Sequence, residues 1–271
     1  MFELPFPAFD FLWEDLHLGP KPFPLEIPSH GDTMTERARL REAVYANLTE
    51  RQLVHNGRLE PEVEDTLRLV ARPSICVDAV ANLDLGGETP LRALGASSGR
   101  YAVLVVQREL VVEFRPVRDT ALISSLVELI PATRQGPGQP VSLPSSAIAG
   151  QSDQSGQSGR SRQGGQHHRD ESGPIVTRAR DSTAQYRGQL HQLNKIQEQR
   201  VLRAGQFGVS TAGSSGRPKR IGGLSWFATD EGQYTTGITR SSDGADWVTV
   251  TPCDAARLTQ QIGQLLAHAR S

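Results

Sequence analysis

Two groups of residues in this chain combine side-chain types and spacing that enzymes use. Asp230 and Glu231 are adjacent carboxylates, and such a pair could act as general acid and general base. Residues 95–99 read Gly-Ala-Ser-Ser-Gly, the Gly-x-Ser-x-Gly pattern that presents a nucleophilic serine in hydrolases, here Ser97. Either group needs a particular secondary structure around it, so the elements that position these residues decide between catalysis and a structural role.

The sequence groups few side chains that could bind a metal ion or a cofactor. His167 and His168 are adjacent, but they lie in a polar tract with no cysteine and no third histidine nearby. Cys76 and Cys253 each stand in an apolar stretch, which favours two buried reduced thiols over a disulfide. We therefore expect no bound metal and no cofactor.

Charge and hydropathy narrow the classes of partner. The chain has 29 basic and 30 acidic side chains, a net charge of -1, which provides no general attraction for nucleic acid or an anionic membrane. The N-terminal stretch MFELPFPAFDFLWEDL has no basic leader, and acidic residues interrupt its apolar run. It therefore predicts neither a signal peptide nor a transmembrane segment. We expect a cytoplasmic protein that does not insert into a membrane.

A polar tract divides the chain into two halves. Residues 145–173 contain, after Ala149, no apolar residue other than glycine, so they cannot bury enough surface to offset the entropy of ordering. We predict a flexible linker there, between an N-terminal half of residues 1–144 and a C-terminal half of residues 174–271.

The N-terminal half predicts a strand followed by two helices. Alternating aromatic residues in FDFLW, residues 9–13, indicate a half-buried strand. Thr33 and Glu36 have capping-box spacing at the start of a helix that we expect to end at Gly57. A second helix is predicted over residues 61–72, before a proline.

The remaining elements follow the same order in both halves. The runs SICVDAVANL, YAVLVVQ and LVVEFRP predict strands, followed by a helix that Asp119 can cap. After the linker we predict a Gln-rich helix ending near Gly205, and then strands at GLSWFAT, QYTTGITR and DWVTVT. Asp243 and Gly244 supply a hairpin turn, and Asp254 can cap the last helix.

An internal repeat accounts for this common order. LRALGASSGRYAVLVVQ overlays LSWFATDEGQYTTGITR without gaps and pairs Gly99 with Gly232 and Tyr101 with Tyr234. After a small length difference in the next turn, VVEFRPVRDTALISSLVELI overlays WVTVTPCDAARLTQQIGQLL. We therefore predict two halves with the same architecture, in which each Gly-x-Tyr occupies the same structural place.

The repeat also bears on the candidate catalytic residues. Asp230 and Glu231 overlay Ser97 and Ser98, at the predicted corner between two strands. Turns favour Asp, Ser and Gly because these residues tolerate the backbone angles and bond to nearby backbone groups. A nucleophile elbow also needs a helix after the serine, whereas a strand is predicted here. We interpret all four residues as turn residues.

These motifs resemble those of the EspG family, the ESX type VII secretion-associated chaperones of actinobacteria. The resemblance rests on FDFLWEDLHLGPKPFPLEI with the capped helix after it, on AGQFGVS and on LSWFATDEGQYTTG. The last stretch is similar to a Trp-x-Asp-Thr-x-x-Gly-Arg-Tyr pattern of the family. This chain keeps Trp226, Gly232 and Tyr234, has Gln233 in place of the usual arginine, and places its acidic residue at Asp230.

The resemblance implies an α+β fold with a central, mostly antiparallel sheet, flanking helices and two pseudo-symmetric halves within one domain. It also implies a cytosolic chaperone without enzymatic activity. Its expected partner is the helical tip of a PPE-like protein within a PE–PPE heterodimer, which it keeps soluble for secretion. A cleft of sheet and helix can bury such an apolar tip without any chemistry.

The resemblance further suggests which residues contact the partner. In the family, the loop corresponding to NLDLGGETP and the C-terminal half contribute to substrate binding. The residues expected at the interface are Asp84, Leu85, Trp226, Asp230 and Gln233. Trp226 could equally anchor the core, as large aromatic residues in strands commonly do. Phe227 is predicted on the opposite face of the strand from Trp226.

Two other hypotheses stay open. One is a hydrolase that uses Ser97 or the pair Asp230 and Glu231. The other is a regulatory protein on the same fold that no longer binds the substrate, since Gln233 replaces the usual arginine. Retention of a helical partner during purification would distinguish the chaperone from both.

Overall fold

The computed structural model describes residues 1–87, 89–148, 175–213 and 218–268. Its main feature is a ten-stranded sheet in which all neighbouring strands are antiparallel. The strands of this sheet are β1 (Phe2–Pro5), β4 (Ile75–Asn82), β5 (Leu91–Ser98), β6 (Tyr101–Gln107), β7 (Val111–Val117), β8 (Val141–Pro144), β9 (Val201–Ala212), β10 (Pro218–Thr229), β11 (Gln233–Arg240) and β12 (Asp246–Pro252). A separate small hairpin pairs β2 (Val54–His55) with β3 (Arg58–Leu59).

Counted inward from each edge of the sheet, equivalent strands of the two halves follow in the same order. It is β1-β7-β6-β5-β4-β9-β10-β11-β12-β8, so the two halves of the chain meet where β4 pairs with β9. The strands that the repeat relates, β5 with β10, β6 with β11 and β7 with β12, hold equivalent places on either side of this pairing. The predicted α+β fold with an antiparallel sheet and two pseudo-symmetric halves is confirmed.

In the described ranges, residues 145–148 form a short helical segment at the start of the predicted linker, and six other α-helices cover the sheet. They are α1 (Phe6–Asp15), α2 (Met34–Glu50), α3 (Pro61–Ala71), α4 (Leu122–Val127), α5 (Ile175–Gln197) and α6 (Ala255–His268). One face holds two separate apolar clusters, under α1–α3 in the N-terminal half and under α5 in the C-terminal half. The opposite face holds one central cluster, which joins residues of α4 and α6 to strands of both halves.

Helix α1 replaces the strand that we predicted for residues 9–13. Phe9 and Trp13 are four residues apart, so they lie on one side of the helix, where their rings stack at 4.9 Å. Phe11 faces the other way, and the guanidinium carbons of Arg37 and Arg41 lie 4.8 and 5.1 Å from its ring centre. The aromatic alternation therefore reflects a helix that is covered on two sides, not a half-buried strand.

Helix α2 begins as predicted but ends earlier. Thr33 Oγ1 accepts a hydrogen bond from the N–H of Glu36 at 3.1 Å, as expected of a cap. The helix ends at Glu50 instead of Gly57. Asn56 and Gly57 have φ values of 50° and 75°, and they form the tight turn between β2 and β3.

The prediction that a helix extends to near Gly205 is wrong. Helix α5 ends at Gln197, and Gly205 lies inside β9. A Cβ at Gly205 would lie 2.7 Å from the carbonyl oxygen of Val80 in β4, so the strands approach closely there. The predicted linker lies, apart from residues 145–148, outside the described residues, as do His167 and His168.

Candidate functional site

Strands of both halves bring the predicted partner-binding residues to one end of the sheet. Asn82, the last residue of β4, lies opposite Ala204 in β9, and Ala204 lies opposite Phe227 near the end of β10. The loop after β4 and the turn after β10 therefore project from the same end, about 10 Å apart across one strand. We call the surface made by residues 83–87, 108–110 and 230–232 with Val201 the loop end.

Asp84 shapes the loop that follows β4. Its Oδ1 accepts a hydrogen bond from the N–H of Gly86 at 3.0 Å, and its carbonyl oxygen accepts one from the N–H of Gly87 at 3.0 Å. Aspartate commonly stabilises turns by bonding to backbone two residues further on. Leu85 lies between these bonds with 50% of its surface exposed. Asp84 thus orders the loop, and Leu85 is the apolar side chain that the loop presents.

Thr229 organises the turn that carries Asp230 and Glu231. Its Oγ1 accepts hydrogen bonds from the N–H groups of Glu231 and Gly232 at 3.2 and 3.1 Å and lies 2.8 Å from Gln199 Oε1. The Glu231 carboxylate accepts a bond from Gln199 Nε2 at 3.1 Å. Asp230 is exposed, and its carboxylate makes no hydrogen bond within the described residues. These two residues form a hairpin turn, as the repeat predicts.

Ser97, in contrast, does not lie in a turn, and that prediction is wrong. It lies inside β5 and is 1% exposed. The N-terminal hairpin turns at Gly99 and Arg100, because Ser98 pairs directly with Tyr101. The C-terminal hairpin has a four-residue connection, between Ala228 and Gln233. The gapless overlay therefore placed the N-terminal corner two residues too early.

The surroundings of Ser97 do not form a nucleophile site. Its hydroxyl donates a hydrogen bond to the carboxylate of Asp119, and no histidine of the described residues bonds to it. Asp119 was predicted to cap a helix; it instead begins a 3-10 helix, Asp119–Ala121, that leads into α4 without a side-chain cap. The segment after Ser97 is the strand β6, whereas a nucleophile elbow requires a helix.

Trp226 and Gln233 lie behind the loop end instead of on its surface. Trp226 is 2% exposed and belongs to the central cluster with α4 and α6, while Phe227 packs under α5, on the opposite face as predicted. Gln233 is 3% exposed, and its Nε2 lies 3.5 Å from the sulfur of Cys253. Burial raises the pKa of that thiol to about 11, so it stays protonated. Neither residue is accessible to a partner in this conformation.

Close backbone packing explains Gly-x-Tyr in the C-terminal half. The segment after α4 pairs with β11: Gln233 N–H donates to the carbonyl of Arg134 at 2.9 Å, and Gly136 N–H donates to the carbonyl of Gln233 at 3.1 Å. A Cβ on Gly232 would lie 2.4 Å from Gly136 Cα, and one on Gly136 would lie 2.2 Å from the ring of Tyr234. Both glycines are therefore required for this contact.

The two Gly-x-Tyr motifs do not occupy the same structural place, contrary to our prediction. Tyr234 is completely buried, and its hydroxyl donates to the carbonyl of Pro137 at 3.2 Å. Tyr101 is 78% exposed at the opposite end of the sheet. The difference arises because Gly136 and Pro137 contact Tyr234, while most of the Tyr101 side chain faces solvent.

Sequence reasoning missed two apolar residues of the loop end. Leu110, in the turn between β6 and β7, is 75% exposed, and Val201, the first residue of β9, is 39% exposed. Gln107 at the end of β6 lies opposite Arg92 at the start of β5, which places Leu110 at the same end as Leu85. Leu110 was predicted as the first residue of the strand LVVEFRP, but the observed strand begins at Val111.

Within the described ranges, no three His, Cys, Asp or Glu side chains are grouped to hold a metal ion. Of the helices in the described part of the chain, none has the length and apolar composition needed to cross a bilayer.

Known proteins share this fold. The structure is similar to that of the Mycobacterium tuberculosis type VII secretion system chaperone EspG5, solved in complex with a PE25-PPE41 dimer, with a TM-score of 0.66. The two proteins are 13% identical, and the match covers 98% of this chain and 95% of that chain. No curated protein sequence matches. The model of the EspG family matches residues 5–264, nearly the whole sequence. This chain therefore belongs to the EspG family.

Proposed function

We propose that this protein is a cytoplasmic chaperone of type VII secretion that binds a PE–PPE-like heterodimer through the loop end. The main supporting observation is that a loop ordered by Asp84 presents Leu85 to solvent in a member of the EspG family. The EspG5 chaperone, which has the same fold, was solved with a PE25-PPE41 dimer. A helical partner is therefore the expected ligand here.

The composition of the loop end suits a protein partner. Leu85, Leu110 and Val201 give exposed apolar area, and Asp230 adds a carboxylate with no hydrogen-bond partner among the described residues. Apolar side chains bordered by polar groups are typical of recognition surfaces. The apolar residues would cover the tip of a helical hairpin, and Asp230 would accept hydrogen bonds at its rim.

Trp226 and Gln233 contribute to this proposal indirectly. Trp226 lies opposite Thr235 of β11 and Gly205 of β9, so its indole fills the core directly behind the turn. Gln233 joins β11 to the segment of residues 134–136 through its backbone. We propose that both residues fix the position of the turn and do not contact the partner.

A hydrolase receives little support from the geometry. Ser97 is buried and bonded to Asp119, and Glu231 bonds to Gln199 in a hairpin turn. We expect Ser97→Ala to leave partner binding unchanged, and we expect no esterase or peptidase turnover before or after the substitution. Turnover that disappears with Ser97→Ala would support the hydrolase hypothesis.

The decisive experiment is co-purification of the tagged protein from its own host, followed by mass spectrometry and a binding assay. A PE–PPE-like pair should elute in near-equal amount with the chaperone. Leu85→Ser should weaken binding about tenfold, because it removes an apolar contact from the centre of the interface. Asp230→Asn should have a smaller effect, since an exposed rim carboxylate contributes less.

Ile238→Ser is the matched control. Ile238 is also an exposed apolar residue, at 73%, but it lies near the opposite end of β11. Equal losses with both serine variants would mean that the loop end is not the specific surface. If no helical protein co-purifies although a candidate substrate is expressed, the regulatory hypothesis replaces the chaperone.

A further inference from the structure

A largely apolar cavity that contains two arginines lies far from the loop end and is not explained by chaperone function. It has a volume of about 620 Å³ and lies between the segment of residues 17–23, the end of α3, and strands β4, β9 and β10. Asp78, on its wall, stands four residues before the end of β4, or about 13 Å along the strand from the loop end. A ligand here would not occupy the proposed partner surface.

An ion pair with a buried carboxylate fixes one cation in this cavity. Asp78 has a side chain that is 4% exposed, and its Oδ2 accepts a hydrogen bond from Arg220 Nη1 at 2.6 Å. The Arg220 side chain crosses β9 above Gly208, where an added Cβ would lie 1.9 Å from the guanidinium carbon. Because glycine leaves this space free, the guanidinium can lie against the strand while 45% of the side chain stays exposed.

The ion pair is costly to the fold, which points to a role beyond stability. Asp78 Oδ1 is buried and has no hydrogen-bond partner among the described residues. Burial raises the pKa of Asp78 even though Arg220 opposes this effect. A half-satisfied buried carboxylate destabilises a protein, and here it holds Arg220 in a fixed orientation.

Other donors in the cavity have no protein partner. Arg72, just after the last turn of α3, and His17 both line the cavity, and neither side chain makes a hydrogen bond or ion pair with another residue in the described ranges. The hydroxyl of Ser210 is likewise unpaired within that part of the chain. Two guanidiniums against one carboxylate leave a net positive charge, which matches a monoanion.

The remaining wall is apolar. It is formed by Leu18, Pro20, Pro22, Phe23, Val70, Ala71 and Pro218. Phe23 is 57% exposed and adds an aromatic ring to this wall. The thiol of Cys76 also lines the cavity, and burial raises its pKa to about 12, so it adds neither charge nor nucleophilic reactivity.

We propose that this cavity binds a carboxylate group attached to an apolar body. The carboxylate would pair with Arg72 and Arg220, because guanidinium and carboxylate match in charge and planar geometry. Ser210 would donate a further hydrogen bond, and the apolar body would pack against Phe23 and Val70. The carboxylate belongs to a small organic acid or to the C-terminus of a peptide, two sources that experiment separates.

The first test compares 3-phenylpropionate with 3-phenylpropionamide by calorimetry on the full-length protein. The acid is expected to bind with a Kd below about 1 mM, and the amide about tenfold more weakly, since it lacks the charge. The peptide Ala-Ala-Phe with a free C-terminus is then compared with its C-terminal amide. Tighter binding of the free peptide than of the small acid identifies a protein terminus as the source.

Arg72→Gln should lower affinity for the acid about tenfold without changing the thermal midpoint, because Arg72 has no partner in the described fold. Arg68→Gln is the matched control: Arg68 lies on the same helix but pairs with Glu64 at 2.6 Å outside this cavity. The proposal is overturned if neither acid nor free peptide binds, if acid and amide bind equally, or if Arg72→Gln has no effect. Leu85→Ser should leave acid binding intact, which separates this proposal from the chaperone function.

Discussion

At the scale of single residues, glycines decide where two segments can touch. Gly136 lies directly against the ring of Tyr234, and Gly232 lies against Gly136, so neither position has room for a side chain. Through these contacts the segment after α4 reaches β11, although the chain between them includes β8, α5, β9 and β10. The motif Gly232-Gln233-Tyr234 thus serves packing, and it begins at the loop end and continues into β11.

Gly136→Ala is expected to destabilise the protein by about 2 kcal/mol, because the added methyl group overlaps the Tyr234 ring and the segment must move. The midpoint of urea unfolding measures this loss. Gly188→Ala serves as the control, since among the described residues no atom beyond the neighbouring helix backbone lies within 4 Å of its Cβ position in α5. Alanine in a helix should raise stability by about 0.5 kcal/mol at that site. Equal stability of the two variants would contradict the packing account.

Asp10 is a second residue with a large structural role. Its carboxylate accepts hydrogen bonds from Lys21 Nζ at 2.6 Å, from the N–H of His30 at 2.9 Å and from Arg37 Nη1 at 3.3 Å. Burial alone would raise the pKa of Asp10, but the bonds from Lys21 and His30 and the charges of Lys21 and Arg37 outweigh it and lower the pKa. This carboxylate therefore ties α1 to α2 and to the segment between them.

Asp10→Asn should cost about 2 kcal/mol at neutral pH, because it removes the counter-charge of Lys21 and weakens the hydrogen bonds that the buried carboxylate accepts. The folded pKa lies below the ordinary value of 3.8, so the stabilisation is complete above that value and is lost as pH falls through the folded pKa. Urea unfolding should show the gap between wild type and variant narrowing below about pH 4. Asp65→Asn, on the exposed side of α3, should change stability by less than about 0.5 kcal/mol. A gap that stays constant with pH would exclude the carboxylate as the cause.

At the scale of elements, α2 depends on its ends more than on its packing. Leu48 is its one fully buried residue, and most of its other side chains are polar. A helix with so little buried surface gains little from tertiary contacts, so its N-terminal cap matters. Thr33 supplies that cap, and Glu36 Oε2 accepts a further bond from the N–H of Asp32 at 3.0 Å.

Thr33→Ala should therefore cost about 1 kcal/mol, and Thr33→Ser should retain most of the stability because serine keeps the capping hydroxyl. Thermal unfolding followed by circular dichroism provides the measurement. If alanine and serine variants unfold at the same temperature as the wild type, the cap bond does not contribute to stability.

At the scale of the whole molecule, the two halves depend on each other. Eight residue pairs join β4 to β9 at the centre of the sheet. The central cluster combines Val77 and Leu104 of the N-terminal half with Phe207, Trp226 and Leu258 of the C-terminal half. In addition, β8 precedes the predicted linker but pairs with β12. We propose that both halves form one cooperative domain.

A protease site inserted between residues 149 and 174 tests this proposal. After cleavage, the two fragments should remain together in gel filtration and unfold in a single transition, because separation would expose the central cluster and the edges of β4 and β9 to water. The uncleaved insertion protein is the reference. Separation of the fragments under native conditions, or two distinct transitions, would show two independent domains.

The sequence predicted the elements whose signals are local. The caps at Thr33 and Asp254 and the helix of residues 61–71 were correct because short-range hydrogen bonds fix them. Asp243 and Gly244 lie in a hairpin connection as predicted, but it has five residues, 241–245, instead of the two that the Asp-Gly signal predicts. The repeat predicted the common architecture of the two halves for a similar reason, since equivalent runs of residues form equivalent strands. Local signals failed at FDFLW, where burial on two sides of a helix produced a pattern typical of a strand.

The sequence by itself thus determined the family, the fold class and the two halves, and it led to the loop that carries Asp84 and Leu85. The tertiary structure alone decided which predicted residues are accessible: Asp84, Leu85 and Asp230 lie at the surface, whereas Trp226 and Gln233 are buried. The physical reason is that exposure depends on which elements pack above a strand. Tyr234 is buried because Gly136 and Pro137 pack against it, whereas Tyr101, its partner in the repeat, is exposed.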